Sequence, residues 1–71
     1  MPRKVRELEA ELRKEGFIRR PGKGSHRRWT HALYPGHVAL SGQEGDDAKS
    51  YQEREVRNAI QTVRDARRQQ P

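Results

Sequence analysis

Cysteine is absent from this 71-residue chain, and apolar and aromatic residues are scarce. Without cysteine, the chain has no disulfide, no thiolate metal ligand and no cysteine nucleophile. Hydrophobic residues make up 30% of the sequence, which suffices for one thin core and leaves no room for a second. We therefore expect a single domain over residues 1–71, with residues 67–71 as a frayed tail.

Long apolar runs and metal-binding patterns are missing as well. No window approaches the roughly 20 apolar residues of a membrane span, and the opening Met-Pro-Arg-Lys-Val lacks the apolar segment of a secretory signal. No two histidines have the helical spacing of a metal site, and Asp46-Asp47 lies in no EF-hand pattern. These absences predict a cytoplasmic protein without membrane contact, metal or other cofactor.

Positive charge, by contrast, is abundant and unevenly distributed. Residues 1–34 contain ten Lys or Arg and four Asp or Glu, whereas residues 35–71 contain six of each. The net charge of +6 therefore belongs entirely to the N-terminal half. A clustered basic excess indicates a polyanionic partner, and nucleic acid is the first candidate. A basic surface that serves solubility alone is the alternative, but solubility does not require this asymmetry.

Two amphipathic helices are predicted, one near each end of the chain. The first covers residues 3–15 and ends at Gly16 in the left-handed conformation. The second begins near a capping box formed by Ser50 and Glu53. In each helix the apolar residues recur at helical spacing and share one face; they are Val5, Leu8 and Leu12 in the first helix and Val56, Ala59, Ile60 and Val63 in the second.

Three short β-prone segments lie between the helices, at residues 17–20, 25–33 and 37–40. Turn signals at Pro21-Gly22 and at Tyr34-Pro35-Gly36 separate them. The resulting order, helix, strand, strand, strand, helix, predicts an α+β fold. Two helices cover one face of a three-stranded antiparallel sheet, and the other face is open to solvent or a ligand.

The alternation of side chains assigns residues to the two faces. Phe17 is expected to pack inward, and Ile18 at least partly so. In the second strand, the set that contains Trp29 is the more apolar and is assigned to the core. His26 and Arg28 then lie together on the solvent-facing side.

The turn between the first two strands combines flexible backbone, positive charge and a histidine. Gly22 and Gly24 allow positive φ or the close approach of a ligand, and His26 can transfer a proton near neutral pH. RNA cleavage needs no metal where one group accepts the proton of a 2′-OH and cations stabilise the charged phosphorane. The cations expected to bind RNA phosphates are Arg19, Arg20, Lys23, Arg27 and Arg28.

Other residues that often carry chemistry are assigned structural roles. His31 belongs to the inward set and is interpreted as a half-buried residue, whereas His37 is interpreted as solvated. Asp46 and Asp47 are expected to shape the loop after the third strand. Trp29 is interpreted as a core residue rather than as a platform for base stacking.

Two segments resemble the signature of the HicA toxin family. Gly16-Phe17-Ile18-Arg19-Arg20 is followed by Gly22-Lys23-Gly24-Ser25-His26, which is similar to the family's "G-F … K-G-S-H" pattern. Residues 38–42 and 45–48 and the closing helix are similar to one branch of the family. The resemblance extends from about Val5 to Ala66.

The resemblance implies a fold like that of double-stranded-RNA-binding domains, with α-β-β-β-α order. It also implies the toxin of a type II toxin–antitoxin system, an endoribonuclease that cleaves mRNA and is neutralised by a HicB-type antitoxin. The family's catalytic histidine corresponds to His26, and its flanking motif residues correspond to Gly24 and Ser25. The chain departs from many relatives after the third strand, where Gln43 stands near the place of a further histidine.

Two other classes of function are compatible with the same residues. A non-catalytic RNA-binding module would use the open basic face to recognise duplex shape. A protein-interaction domain would use the basic surface to dock an acidic partner.

Overall fold

The computed structural model describes residues 3–24 and 26–69, which form two helices and three strands. Helix α1 spans Val5–Lys14 and helix α2 spans Ser50–Gln69. Three strands lie between the helices in the sequence: β1 (Ile18–Pro21), β2 (Arg27–His31) and β3 (Tyr34–Leu40). The expected α-β-β-β-α order and the α+β fold class are confirmed.

One face of the antiparallel sheet, which has the order β1-β2-β3, is covered by the helices. Trp29 of β2 lies opposite Arg19 of β1 and opposite Val38 of β3. Because alternate residues of a strand share a face, Leu40 is on the same side as Val38, and both are buried. Arg19 shares this side but is exposed, because β1 is an edge strand.

The other face of the sheet is open. Arg20, Arg28 and Ala39 are aligned across the three strands in this face, and all three are exposed. Ile18, which lies opposite Thr30, also belongs to the open face and is 56% exposed. The expectation that Ile18 is partly buried is therefore wrong, because no element covers the side of β1 to which it belongs.

The core lies between the covered face and the two helices. Both predicted helical stripes are buried, and Phe17 and Trp29 pack inward as expected. The largest of the fully buried side chains, each less than 2% exposed, are Trp29, Leu8, Leu12, Leu40, Val5, Val38, Val56 and Val63. The core is small because only 30% of the residues in the chain are hydrophobic.

The β2–β3 hairpin differs from the expected turn. The turn falls at Ala32-Leu33, with His31 paired to Tyr34, so that β3 already includes Pro35 and Gly36. Pro35 is tolerated because β3 is an edge strand, where a missing N–H need not break the ladder. Gly36 has a φ of +85° in the region where the pairing is irregular. The Pro-Gly pair thus forms a bulge rather than a turn.

Backbone hydrogen bonds close the C-terminus of α1. Gly16 has a φ of +98°, as predicted for a left-handed terminal residue. The Gly16 N–H donates to the Arg13 carbonyl at 3.0 Å, and the Phe17 N–H donates to the Leu12 carbonyl at 3.0 Å. These two bonds are those of a Schellman motif, and buried Leu12 and Phe17 supply its apolar contact. The motif turns the chain directly from α1 into β1.

The loop after β3 caps the N-terminus of α1. The N–H groups of Val5 and Arg6 donate to the carbonyls of Asp46 and Glu44, at 2.9 and 3.1 Å. Asp46 also accepts a hydrogen bond from the Gln43 N–H through its carboxylate, at 3.0 Å. Asp46 therefore shapes the loop, as expected. The free N–H groups of the first helical turn are satisfied by main chain rather than by a side chain.

Helix α2 begins with a capping arrangement one residue earlier than predicted. The Lys49 carbonyl accepts from the N–H groups of Gln52 and Glu53, and the Gln52 side chain accepts from the Lys49 N–H at 2.9 Å. The reciprocal pair is thus Lys49 and Gln52 rather than Ser50 and Glu53. Gln52 is buried and also donates to the carbonyl of Ser41 at 3.3 Å, which joins α2 to the end of β3.

An ion-pair cluster joins the C-terminal turns of the two helices. The Glu15 carboxylate accepts from Arg64 at 3.0 Å and from Arg67 at 3.1 Å. The hydrogen bond from Arg64, together with both positive charges, lowers the pKa of Glu15, although burial opposes the shift. The helix continues through residues 67–69, and residues 70–71 of the expected frayed tail lie outside the described residues. Within the described ranges, neither helix is long and apolar enough to cross a membrane.

Candidate nucleic-acid interface

The β1–β2 turn holds His26 just before the first residue of β2. The His26 N–H donates to the Lys23 carbonyl at 3.0 Å, which closes the turn. Gly24 has a φ of +59°, and a Cβ at Gly22 would lie 2.6 Å from the His26 carbonyl oxygen. Both glycines are therefore required by the backbone geometry of this turn. Ser25, expected to flank the catalytic histidine, lies outside the described residues.

His26 is exposed and lines an open hollow of about 340 Å³, which we call the His26 hollow. Arg19 provides an exposed cation at the same hollow, and the turn glycines provide accessible backbone. An imidazole at such a site can exchange a proton with a bound ligand, and the cation can bind an anionic group. The six lining residues are Arg19, Pro21, Gly22, Gly24, His26 and Arg27.

The hollow combines residues that the strand pattern had not placed together. Arg19 and Arg27 belong to the face of the sheet that carries Trp29, whereas Arg28 belongs to the open face. The expected grouping of His26 with Arg28 is therefore not the one that forms the hollow. The alternation of side chains does not extend to His26, because β2 begins only at Arg27.

Arg27 forms a buried ion pair, although the sequence predicted that it binds phosphate. Its guanidinium donates to the Glu9 carboxylate at 2.7 Å and to the Gly42 carbonyl at 3.1 Å. Arg27 and Glu9 are only 9% and 4% exposed. The geometry therefore assigns Arg27 to the link between α1, β2 and the loop after β3, directly beside His26. Glu9 was missed in the sequence analysis, because a glutamate within an exposed-looking helical pattern carries no signal of burial.

The remaining cations of the turn region project from the surface. Arg19, Arg20 and Lys23 are exposed and have no ion-pair partner within residues 3–24 and 26–69. Arg20 lies directly opposite Arg28, whose side chain forms only one hydrogen bond in those ranges, a 3.5 Å contact with the Pro21 carbonyl. Like charges directly opposite each other destabilise a sheet. A bound polyanion would relieve this repulsion.

The other histidines and Gln43 lie elsewhere. His31 packs against Phe17, with ring centroids 5.0 Å apart, and its Nδ1 accepts from the Leu33 N–H at 2.9 Å. His31 is half-buried and His37 is exposed, as expected. Gln43 is exposed in the loop after β3. No group of three or more His, Cys, Asp or Glu side chains suited to a metal ion occurs within the part of the chain that the structure describes.

Comparison with known proteins gives one family. The family model described as the HicA toxin of bacterial toxin–antitoxin systems matches residues 5–66, which is most of the chain. Curated proteins and solved structures give no match. The matched range contains both helices almost completely, all three strands and the turn with His26. The chain thus belongs to the HicA toxin family, whose members are the toxins of toxin–antitoxin systems and generally cleave mRNA.

Proposed function

We propose that this protein is an endoribonuclease in which His26 transfers a proton during cleavage of the RNA backbone. The observation that carries the proposal is the exposed imidazole in an open hollow, with Arg19 beside it and an unusually close backbone turn around it. The family relationship supports RNA as the substrate and cleavage as the activity. The position of His26 in the K-G-S-H motif supports this histidine rather than His31 or His37.

The reaction uses the 2′-OH of the RNA as its nucleophile. As base, His26 accepts the proton of the 2′-OH while O2′ forms a bond to phosphorus. The bond from phosphorus to the 5′-oxygen then breaks, and the leaving oxygen takes up a proton from solvent, to which the protonated His26 returns the proton that it accepted. The products are a 2′,3′-cyclic phosphate and a free 5′-OH. Acid–base assistance of this kind contributes on the order of 10²–10⁴ in rate and needs no metal.

The cations around the turn stabilise negative charge on the phosphate. Arg19 lies at the His26 hollow itself, and Lys23 extends from the turn. Preorganised positive charge is most effective where it meets charge that develops in the transition state. Gly24 shapes the turn through its positive φ. For Ser25 we propose, from the motif alone, that it orients the backbone or a phosphate oxygen.

Replacement of His26 tests the mechanism. His26→Ala should reduce cleavage of a labelled single-stranded RNA by about 10²–10⁴, because the proton acceptor is lost. Melting temperature should change little, because the side chain is exposed, and RNA affinity should change little, because the cations that bind phosphate are retained. His37→Ala, which removes the exposed histidine of β3, is the matched control and should cleave like the wild type. Full activity in His26→Ala would refute the mechanism.

A non-catalytic RNA-binding module is the second candidate, and the facing pair Arg20 and Arg28 on the open sheet supports it. Incubation of the wild type with labelled RNA in EDTA distinguishes the two candidates. The proposed enzyme gives products that end in a 2′,3′-cyclic phosphate, whereas a binding module gives a complex and intact RNA.

We also propose that the cognate antitoxin is a HicB-type protein with an acidic surface that covers the His26 turn. The exposed cations Arg19, Arg20 and Lys23 support this partner, because complementary charge favours fast and specific association. In the covered state the hollow is closed to RNA, which accounts for neutralisation without a chemical change in the toxin.

A further inference from the structure

A second hollow lies on the open face of the sheet, towards the end of β1 that is distant from the His26 turn. It measures about 480 Å³ and is lined by Gly16, Ile18, Arg20, Thr30, His31 and Ala32. We propose that this His31 hollow binds one nucleotide of the RNA strand that is cleaved at His26, and that it determines sequence preference. The inference rests on the proposed ribonuclease function, to which it adds a binding subsite.

The His31 ring presents a hydrogen-bond donor in a fixed position. Because Nδ1 accepts the Leu33 N–H at 2.9 Å, the neutral ring carries its own proton on Nε2. A Cβ at Gly16 would lie 3.2 Å from this Nε2, which places the donor at the Gly16 side of the hollow. The contact with Phe17, at 5.0 Å between ring centroids, holds the ring in place. A donor held in this way can select an acceptor on the edge of a base.

The other walls of the hollow suit a nucleotide as well. Ile18 is the most exposed large hydrophobic side chain among the described residues, and it offers an apolar surface to the face of a base. Thr30 adds a hydroxyl, and the exposed guanidinium of Arg20 can bind the adjoining phosphate. Single-stranded RNA is recognised by such a combination of base-face contact and hydrogen bonds to base edges.

Strand β1 connects the two hollows. Arg19 and Pro21 line the His26 hollow, whereas Ile18 and Arg20 line the His31 hollow, so the two sites flank the same edge strand. Among the described residues, no backbone group outside β2 forms a hydrogen bond with the backbone of β1, so the edge is uncovered. A four-residue strand is about 13 Å long. An RNA strand along this edge therefore spans the distance between the two hollows with a few nucleotides.

Cleavage-site mapping on a randomised RNA pool tests the subsite. His31→Ala should lose the wild-type base preference at one fixed position within a few nucleotides of the cut. On a preferred oligonucleotide, KM should rise about threefold to tenfold, the range expected for one hydrogen bond, while kcat is retained. His31→Gln, which keeps an N–H donor, should restore part of the preference. His37→Ala is the control and should keep both the preference and KM.

Thr30→Val provides a second, independent test, because His31 contacts the core through Phe17 whereas Thr30 lies on the open face. If neither Thr30→Val nor a folded His31→Ala changes preference or KM, the subsite is refuted and cleavage at His26 still stands. If the wild type cleaves no RNA, the ribonuclease proposal fails instead. Fluorescence anisotropy with a labelled six-nucleotide RNA then decides the subsite: weaker binding by both variants supports it, and unchanged binding overturns it.

Discussion

Glu9 and Arg27 form an ion pair below the surface, one residue away from His26. Arg27 also binds the Gly42 carbonyl, so a single guanidinium holds α1, β2 and the loop after β3 together. Removal of one partner from a buried pair leaves an uncompensated charge, which costs more than the pair itself contributes. The residue that follows His26 therefore determines how firmly the start of β2 is held.

Glu9→Ala should lower the free energy of unfolding by about 3–5 kcal/mol, because Arg27 becomes a buried charge without its carboxylate. Chemical denaturation in urea, followed by circular dichroism, measures the loss. Glu55→Ala, which changes an exposed glutamate of α2, is the control and should alter stability by no more than about 0.5 kcal/mol. Equal losses of unfolding free energy in the two variants would show that Glu9 contributes no more to stability than an exposed glutamate does.

The side chains of the turn show which part of the site the sequence predicts. His26 and its glycines follow from the motif, because the close turn needs residues without a Cβ. Which arginines face solvent follows only in part from the sequence. The alternation of β2 places Arg27 on the side of Trp29 and Arg28 on the open side, but the burial of Arg27 depends on Glu9, a partner eighteen positions away. The His31 hollow is equally hidden, because it depends on how the hairpin end meets Gly16.

At the scale of elements, the C-terminus of α1 determines where β1 begins. Gly16 supplies the left-handed residue of the Schellman motif and also borders His31. Any other residue at this position is disfavoured for two reasons. The φ of +98° is unfavourable for a residue with a Cβ, and that Cβ would lie only 3.2 Å from the Nε2 atom of His31. The junction between helix and strand thus depends on one residue.

Gly16→Ala should destabilise the protein by about 1–2 kcal/mol, which is the cost of a left-handed conformation for a residue with a Cβ. In a domain of this size the melting temperature should fall by roughly 4–8 °C per kcal/mol. Gly45→Ala is the matched control, since a Cβ there meets nothing within 4 Å. A Gly45→Ala loss as large as that of Gly16→Ala would contradict this account of the motif.

The helices were predicted more accurately than the strands. Their apolar stripes repeat over several turns and match the buried residues. The β2–β3 turn was misplaced because Pro35-Gly36 is a strong turn signal, whereas the actual turn, Ala32-Leu33, has none. The bulge in β3 arises from pairing with β2, a tertiary constraint that overrides local preference.

At the scale of the whole molecule, one carboxylate joins the two helices. Glu15 lies at the C-terminus of α1 and binds two arginines near the C-terminus of α2. The Arg64 hydrogen bond and the positive charges lower the pKa of Glu15. The folded state therefore binds the Glu15 proton more weakly than the unfolded chain does, and this linkage stabilises the fold above the ordinary pKa.

The contribution of Glu15 should be fully present at pH 7 and should be lost as the pH falls below about 4.5, its ordinary pKa. Melting temperatures at pH 7 and pH 3 measure the loss in the wild type. Glu15→Gln should melt lower at pH 7 and should show a smaller drop on acidification, because its amide does not titrate. Glu55→Gln is the control and should show the same decrease in melting temperature between pH 7 and pH 3 as the wild type. If the melting temperature of Glu15→Gln falls on acidification by as much as that of the wild type, Glu15 is not the source of this pH dependence.

The single tryptophan provides an internal optical reporter of the folded state. Trp29 is 1% exposed, lies beneath the guanidinium of Arg13 and belongs to the face of the sheet that points away from solvent. Its emission should shift to the red when the interior opens to water. Every variant named above can therefore be checked for native packing by intrinsic fluorescence before a dye-labelled RNA is titrated into the same cuvette.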